Sequence, residues 1–227
     1  MKDIIRIANG QGFWGDSIDA PVNLVNDGPI DYLTLDYLAE VTLSIMQRQK
    51  LKNPNAGYAI DFVDLIKRIL PDLVSKNIKV ITNAGGVNPE ACRIELLKVA
   101  QDLNLNIKIG IIKGDDIFHN LENLSKLGET FDNLDTKESF TNINENVYSA
   151  NAYIDSFSIA NALELGADIV LAGRVSDPGL ALGPAIFEFG WKSTDFDLLA
   201  AGTLAGHIIE CGAQCTGGNY SRWSDIK

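Results

Sequence analysis

Five short apolar runs, each followed by a stretch with helical periodicity, constrain this chain more than any other feature. The runs are Ile4–Ala8, Tyr32–Leu35, Ile78–Thr82, Ile107–Ile112 and Asp168–Ala172. They are rich in Ile, Val and Leu without a polar alternation, as expected of strands covered on both faces. Between and after them lie amphipathic segments. Leu38–Lys50 sets Leu38, Val41, Thr42, Ile45 and Met46 on one stripe, and Tyr58–Leu70 groups Phe62, Leu65, Ile66 and Ile69. Pro89–Leu103 spaces Cys92, Leu96, Val99 and Leu103 likewise, and Ser156–Leu165 and Pro178–Phe189 complete the series. Strand–helix alternation predicts an α/β fold with a mainly parallel sheet flanked by helices. Right-handed crossovers then bring the strand C-termini to one edge, where such folds bind ligands.

The 227 residues suit a single α/β domain, 1–227. Gly128–Asn146 is polar throughout and reads as a surface excursion. The net charge of −11, with no Lys/Arg cluster, argues against nucleic acid. No apolar run reaches the length of a membrane span, and the N-terminus carries no secretory h-region, so a cytoplasmic location without membrane contact is expected. The three cysteines are too few and odd in number for a disulfide framework. A homo-oligomer is the expected assembly, and a small molecule the expected partner.

The strand exits hold the chemistry. Ile78–Glu90, IKVITNAGGVNPE, leaves a strand through Asn83, Gly85 and Gly86 and starts a helix at Asn88-Pro89. Asn88 suits the N-cap and Pro89 the first turn. Such a turn can offer amides to a carboxylate, phosphate or oxyanion, and a cap alone leaves Asn83 unexplained. Asp36 and Glu40 stand four apart, as on one face of a starting helix, and serve either as cap and solvated charge or as a base or metal-binding carboxylate. Arg174 follows the last strand and offers a planar fork for a carboxylate, with Asp177 to orient it; the plainer alternative is an Arg–Asp pair that fixes the loop.

Gly10-Gln-Gly12-Phe-Trp-Gly15 matches the dinucleotide pattern, although Phe13 and Trp14 are bulky for a pyrophosphate turn. Alternatively the aromatic pair walls an acyl pocket, with Asp16 or Ser17 capping the next helix. Asp115-Asp116 could bind a hard cation but reads more simply as a cap. His207, Cys211 and Cys215 fall at i, i+4 and i+8, yet Gly212 and the following glycine pair oppose a continuous helix, and no fourth ligand is placed; no metal site is assigned. Cys211 as a nucleophile beside His207 is a further possibility.

Taken together, GFWGDS, DYLAEVTLSI, NAGGVNP, GDD, SANAY, GADIVLAGRVSD, LALGP, EFGW and LAAGTLAGHIIECGAQ resemble, in order, the acyclic terpene utilisation (AtuA-like) family. The resemblance runs from about residue 5 to the end. It implies a catabolic role in acyclic terpenoid or branched-chain acid breakdown, a coenzyme A pathway in which a lyase step on a 3-hydroxy-glutaryl-CoA-type intermediate has been proposed. It also implies that this chain is the N-terminal part of a longer family domain. The expected substrate is a carboxylate or acyl-CoA, with the cofactor left open.

In this reading Asp36 or Glu40 is the base, and Asn83 with the Gly85-Gly86 amides steadies an enolate. Arg174, oriented by Asp177, holds a carboxylate. Gly12, Asp16, Ser17, Gly85, Gly86, Asn88 and Asn151 contribute to substrate binding. Asp36→Asn and Arg174→Ala are each expected to lower the rate at least about tenfold. The rival from another class is a non-catalytic acyl-CoA or nucleotide binding subunit, distinguished by tight binding without turnover.

Overall fold

The computed structural model describes residues 3–216 and 222. Its five strands form one parallel sheet in the order β1-β2-β3-β5-β4. The strands are β1 (Ile7–Gln11), β2 (Tyr32–Leu35), β3 (Lys79–Thr82), β4 (Ile109–Ile111) and β5 (Ile169–Leu171). Period-two alternation sorts their side chains between two cores. Leu33, Leu35, Val80, Ile169 and Leu171 enter one, whereas Tyr32, Ile81 and Val170 enter the other. Both faces are therefore buried, which is why the strands read as unbroken apolar runs.

The first face is covered by α1 (Asp19–Asp27), α3 (Ile60–Lys76) and α4 (Pro89–Asp102), which pack side by side. On α3 the stripe Phe62, Leu65, Ile66 and Ile69 is fully buried, and the helix stops where Asn77 turns left-handed at φ 53°. On α4 Asn88 Oδ1 accepts from Ala91 N with Pro89 in the first turn, as the sequence predicts. The second face is covered by α6 (Phe157–Glu164) and α7 (Gly179–Phe189). Then α8 (Phe196–Ile209) packs on α7.

Two sequence expectations change. The first strand lies three residues further on than Ile4–Ala8: Ile4 is exposed, and the polar Gln11 is buried at the strand end. The helix α2 (Glu40–Lys52) buries Leu43 and Met46 and exposes Val41 and Ile45, so its inner face is rotated from the predicted stripe. α8 carries Gly202 and Gly206 at the points where it touches α7 and its flanks, and it ends at Ile209, before Gly212, where the sequence opposes a continuous helix. A Cβ on Gly202 would meet Leu182 and Trp191, and one on Gly206 would meet Pro178. The short α5 (Leu121–Lys126) precedes the polar segment 128–146, which holds two 3-10 turns and is largely exposed, as predicted.

The strand order places the site. The chain leaves β3 towards α4 on the first face and leaves the adjacent β5 towards α7 on the second. Neighbouring strands whose exits diverge in this way open a crevice at their carboxyl ends.

Candidate functional site

Asp36 follows β2 directly, in an extended segment 36–39 that precedes α2. It therefore does not share a helix face with Glu40, contrary to the i, i+4 expectation; Glu40 begins the helix. The Asp36 side chain is 6% exposed. Its Oδ1 accepts from Asn83 Nδ2 at 2.7 Å and from Leu38 N at 3.2 Å. Burial pushes its carboxyl up from 3.8 to about 6, against these two hydrogen bonds, which pull it down. Asn83, just past β3, is fully buried and spent on both sides: its Oδ1 accepts from Tyr37 N at 2.7 Å. It holds Asp36 and the β2 exit in one arrangement.

Arg174 comes from the neighbouring β5 exit. Its Nη1 donates to the Leu38 carbonyl at 2.6 Å and Nη2 to the Tyr153 hydroxyl at 2.9 Å. The guanidinium also lies over the Tyr153 ring, 4.6 Å from its centroid. Asp177 Oδ1 lies 3.1 Å from Nη2, an ion-pair contact without hydrogen-bond alignment, and Glu40 stands 3.7 Å away. The backbone beneath is fixed by Asp115, whose Oδ2 accepts from Arg174 N at 2.8 Å and from Asn151 Nδ2 at 3.0 Å. Gly173 makes that approach feasible: a Cβ there would sit 2.3 Å from both Asp115 carboxylate oxygens. Asp115 is thus a buried strand-end anchor, and Asp116 caps the following turn through Phe118 N.

These groups enclose a pocket of about 310 Å³ lined by Gly12, Asp36, Leu38, Ala39, Glu40, Tyr153, Arg174, Asp177, Glu210 and Cys211. Among the described residues Arg174 is the only cation in this lining. Glu40 is held below the ordinary carboxylate range by its own backbone N–H and the Tyr153 hydroxyl. Glu210 is pushed up by burial and by Asp177, while its Oε1 pairs with His207 Nδ1 at 2.8 Å. Burial, with Glu210 and Asp36 nearby, raises the Cys211 thiol, so it stays protonated, opposite to what a nucleophile needs. Among the described residues no cluster of His, Cys, Asp and Glu could hold a metal ion.

Of the residues expected from sequence, Gly12, Asp36, Glu40, Arg174 and Asp177 meet in this pocket, with Asn83 immediately behind Asp36. Asp16 turns back on its own loop, accepting from Gly12 N and Ser17 N, and Ser17 Oγ accepts from Asp19 N. A carboxylate thus occupies an amide that a pyrophosphate would use. Phe13 and Trp14 do not line the pocket, and Trp14 Nε1 donates instead to Asp61 on α3. Gly86 sits at φ 55° against Met46, and its N–H is used by the Asn83 carbonyl. Gly85 packs on Pro89. Asn88 is the α4 cap, and its amide also donates to the Pro54 and Ala56 carbonyls.

Sequence reasoning missed Tyr153, Glu210 and the anchoring role of Asp115. Tyr153 lies at the end of SANAY, whose tight ties to Asp115 and Arg174 have no local pattern. Glu210 reaches the pocket because α8 returns the chain to β1, where Asn9 Nδ2 donates to the Glu210 carbonyl.

The geometry defines a doubly wound α/β protein with a carboxylate–guanidinium site at its switch point. The chain belongs to the acyclic terpene utilisation family: the family described as acyclic terpene utilisation family protein AtuA matches residues 5–227. The family name gives its members a role in acyclic terpene utilisation. No curated protein and no solved structure matches the chain. Among the described residues no helix is long and apolar enough to cross a membrane.

Proposed function

We propose that the protein is a catabolic enzyme of acyclic terpenoid or branched-chain acid utilisation that performs lyase-type acid–base chemistry on a carboxylate or acyl-CoA. The observation that carries this reading is the buried Asp36 carboxyl, raised to about 6 and held by Asn83 at the crevice beside Arg174. A base is most effective when it titrates near the working pH. Asp36 meets that condition, whereas Glu40 is held too low. The two carboxylates are pushed apart by their surroundings, as acid–base sites require.

In the proposed step Asp36 takes a proton alpha to the substrate carbonyl. The C–H electron pair forms the new double bond as a β-substituent leaves with its own pair. Arg174 offers its positive charge to a substrate carboxylate, with Asp177 and Tyr153 fixing its plane. Asn83 positions the base. The turn at Gly85-Gly86 keeps Asn83 in place, and Gly12 forms the opposite wall.

The test is turnover of branched-chain carboxylates and their CoA thioesters, followed by mass spectrometry, for wild type and Asp36→Asn. A loss of about 100-fold or more is expected from typical acid–base contributions. Equal rates, or tight binding with no turnover by wild type, would overturn the reading.

A further inference from the structure

Elimination at Asp36 takes a proton from carbon, and a β-substituent that departs through oxygen must gain one. Hydroxide leaves poorly and water leaves well, so such a step calls for an acid as well as a base. Asp36 is occupied with the first proton. The same pocket holds a second carboxyl that the Asp36 step does not use.

That carboxyl belongs to Glu210, which caps the end of α8. The end of α8 is seated on β1. Asn9 Nδ2 donates to the Glu210 carbonyl. A Cβ on Gly12 would lie 2.6 Å from the Cys211 carbonyl oxygen, so the chain passes this close only because position 12 has no side chain. Gly212 then turns left-handed at φ 58°. These contacts bring Glu210 and Cys211 into the lining that holds Asp36, Glu40, Arg174 and Asp177.

The two Glu210 oxygens have different surroundings. Oε1 lies 2.8 Å from His207 Nδ1. Oε2 is buried and has no hydrogen-bond partner among the described residues. The Glu210 side chain is 11% exposed and the His207 side chain 70%. The pair therefore spans the wall of the pocket, with an imidazole in solvent and a carboxyl inside. Imidazoles exchange protons with water across the neutral range. A buried carboxylate oxygen without a donor is costly, and a proton on the group lifts that cost. In keeping with this, burial and Asp177 raise the Glu210 carboxyl, against His207 and Arg174, which pull it down.

We propose that Glu210 is the general acid of this site, protonating the oxygen through which the β-substituent departs, and that His207 resupplies it from solvent. The inference rests on the acid–base reading of Asp36 and adds the second half of the step. Asp36 takes the proton alpha to the carbonyl, and the C–H pair becomes the double bond. The C–O pair goes to the departing oxygen, which takes the Glu210 proton and leaves as water or an alcohol. Glu210, now a carboxylate, recovers a proton from the His207 imidazolium, which regains one from water. Asp36 gives its proton to solvent, and the site returns to its starting state. His207 acts only through Glu210.

The test compares the full-length wild type with Asp36→Asn, Glu210→Gln and His207→Ala on two probes. One is a branched β-hydroxy acid, free or as its thioester, and the other is its analogue with p-nitrophenoxy in place of the hydroxyl. Nitrophenolate departs without a proton. Glu210→Gln keeps the size of the side chain and an acceptor for His207. It should lower the rate on the hydroxy probe about 100-fold or more, the usual worth of a general acid, and leave the nitrophenoxy rate nearly unchanged. His207→Ala should slow the hydroxy probe alone, and added imidazole should restore part of that rate, which a merely structural role would not allow. In wild type the hydroxy rate should fall at alkaline pH as the pair gives up its proton, while the nitrophenoxy rate holds. Asp36, Glu40, Arg174, Asp177 and Cys211 face both probes alike and cancel in this comparison. Equal losses on both probes in Glu210→Gln, or none, with Asp36→Asn inactive on both, would overturn the role of Glu210 and leave Asp36 standing. No turnover by wild type, or full rates in Asp36→Asn, would overturn both. Absence of imidazole rescue would overturn the resupply through His207.

Discussion

Asp36→Asn should make the folded protein more stable at alkaline pH while removing activity. Holding a carboxyl at about 6 in place of its ordinary 3.8 costs the fold about 3 kcal/mol once the group is ionised. Because the folded value is the higher one, the native state binds the extra proton. The carboxyl is compatible with the fold below pH 3.8, the cost grows as pH rises from there, and it is complete above about 6.

The amide removes that cost. Both donors, Asn83 Nδ2 and Leu38 N, go to Oδ1, so a carboxamide oxygen can take them unchanged. Allowing for imperfect placement of the new NH₂ group, a gain of about 1–3 kcal/mol is expected at pH 8. For a chain of this length each kcal/mol moves Tm by about 2–4 °C. Thermal unfolding of both proteins at pH 4 and pH 8 measures it, and effects of other groups cancel in the difference. Curves that remain parallel across this range, or an equal loss of stability at both pH values, would refute the idea that burial of the ionised carboxylate strains the fold.

The other predictions follow from neighbouring contacts. Asn83→Ala removes the hydrogen bond that pulls the Asp36 carboxyl down, so the acid limb of the pH–rate profile should move above about pH 6; a limb that stays or moves lower would contradict it. Arg174→Ala strips the Leu38 carbonyl, the Tyr153 hydroxyl and Asp177 of their cation and should cost about 3 kcal/mol in urea unfolding, beyond its effect on rate. Gly173→Ala places a Cβ against the Asp115 carboxylate and should destabilise by about 2 kcal/mol while lowering activity through displaced Arg174, seen as a raised KM.

The architecture was legible because parallel strands buried on both faces leave unbroken apolar runs, and α3 and α4 keep clean stripes. Legibility failed where burial and polarity part company. Gln11 is fully buried and Ile4 exposed, so the apolar run misplaced β1. Val41 and Ile45 are exposed on α2, so apolarity alone gave the wrong helix face. At the site, Asp36, Asn83 and Arg174 could be picked out because the first two directly follow strands and Arg174 lies in the loop that leaves β5. Tyr153 and Glu210 could not, since they arrive from the end of a long excursion and the end of a late helix. What the sequence could not convey about Asn83 was direction: its amide faces Asp36 and Tyr37 rather than open space.

The strand order also has a bearing on how the protein is made. β5, the last strand among the described residues, inserts between β3 and β4, and among those residues β4 pairs with no other strand. While the ribosome has delivered only the first 120 residues, β3 has an open edge and β4 has no neighbour at all. Residues Ile169–Leu171 close both gaps at once and bring Arg174 to Asp36 in the same event. The pairing of the Asp36 and Arg174 strand exits therefore arrives late in synthesis. Until then the nascent chain exposes apolar strand edges of the kind that chaperones shield.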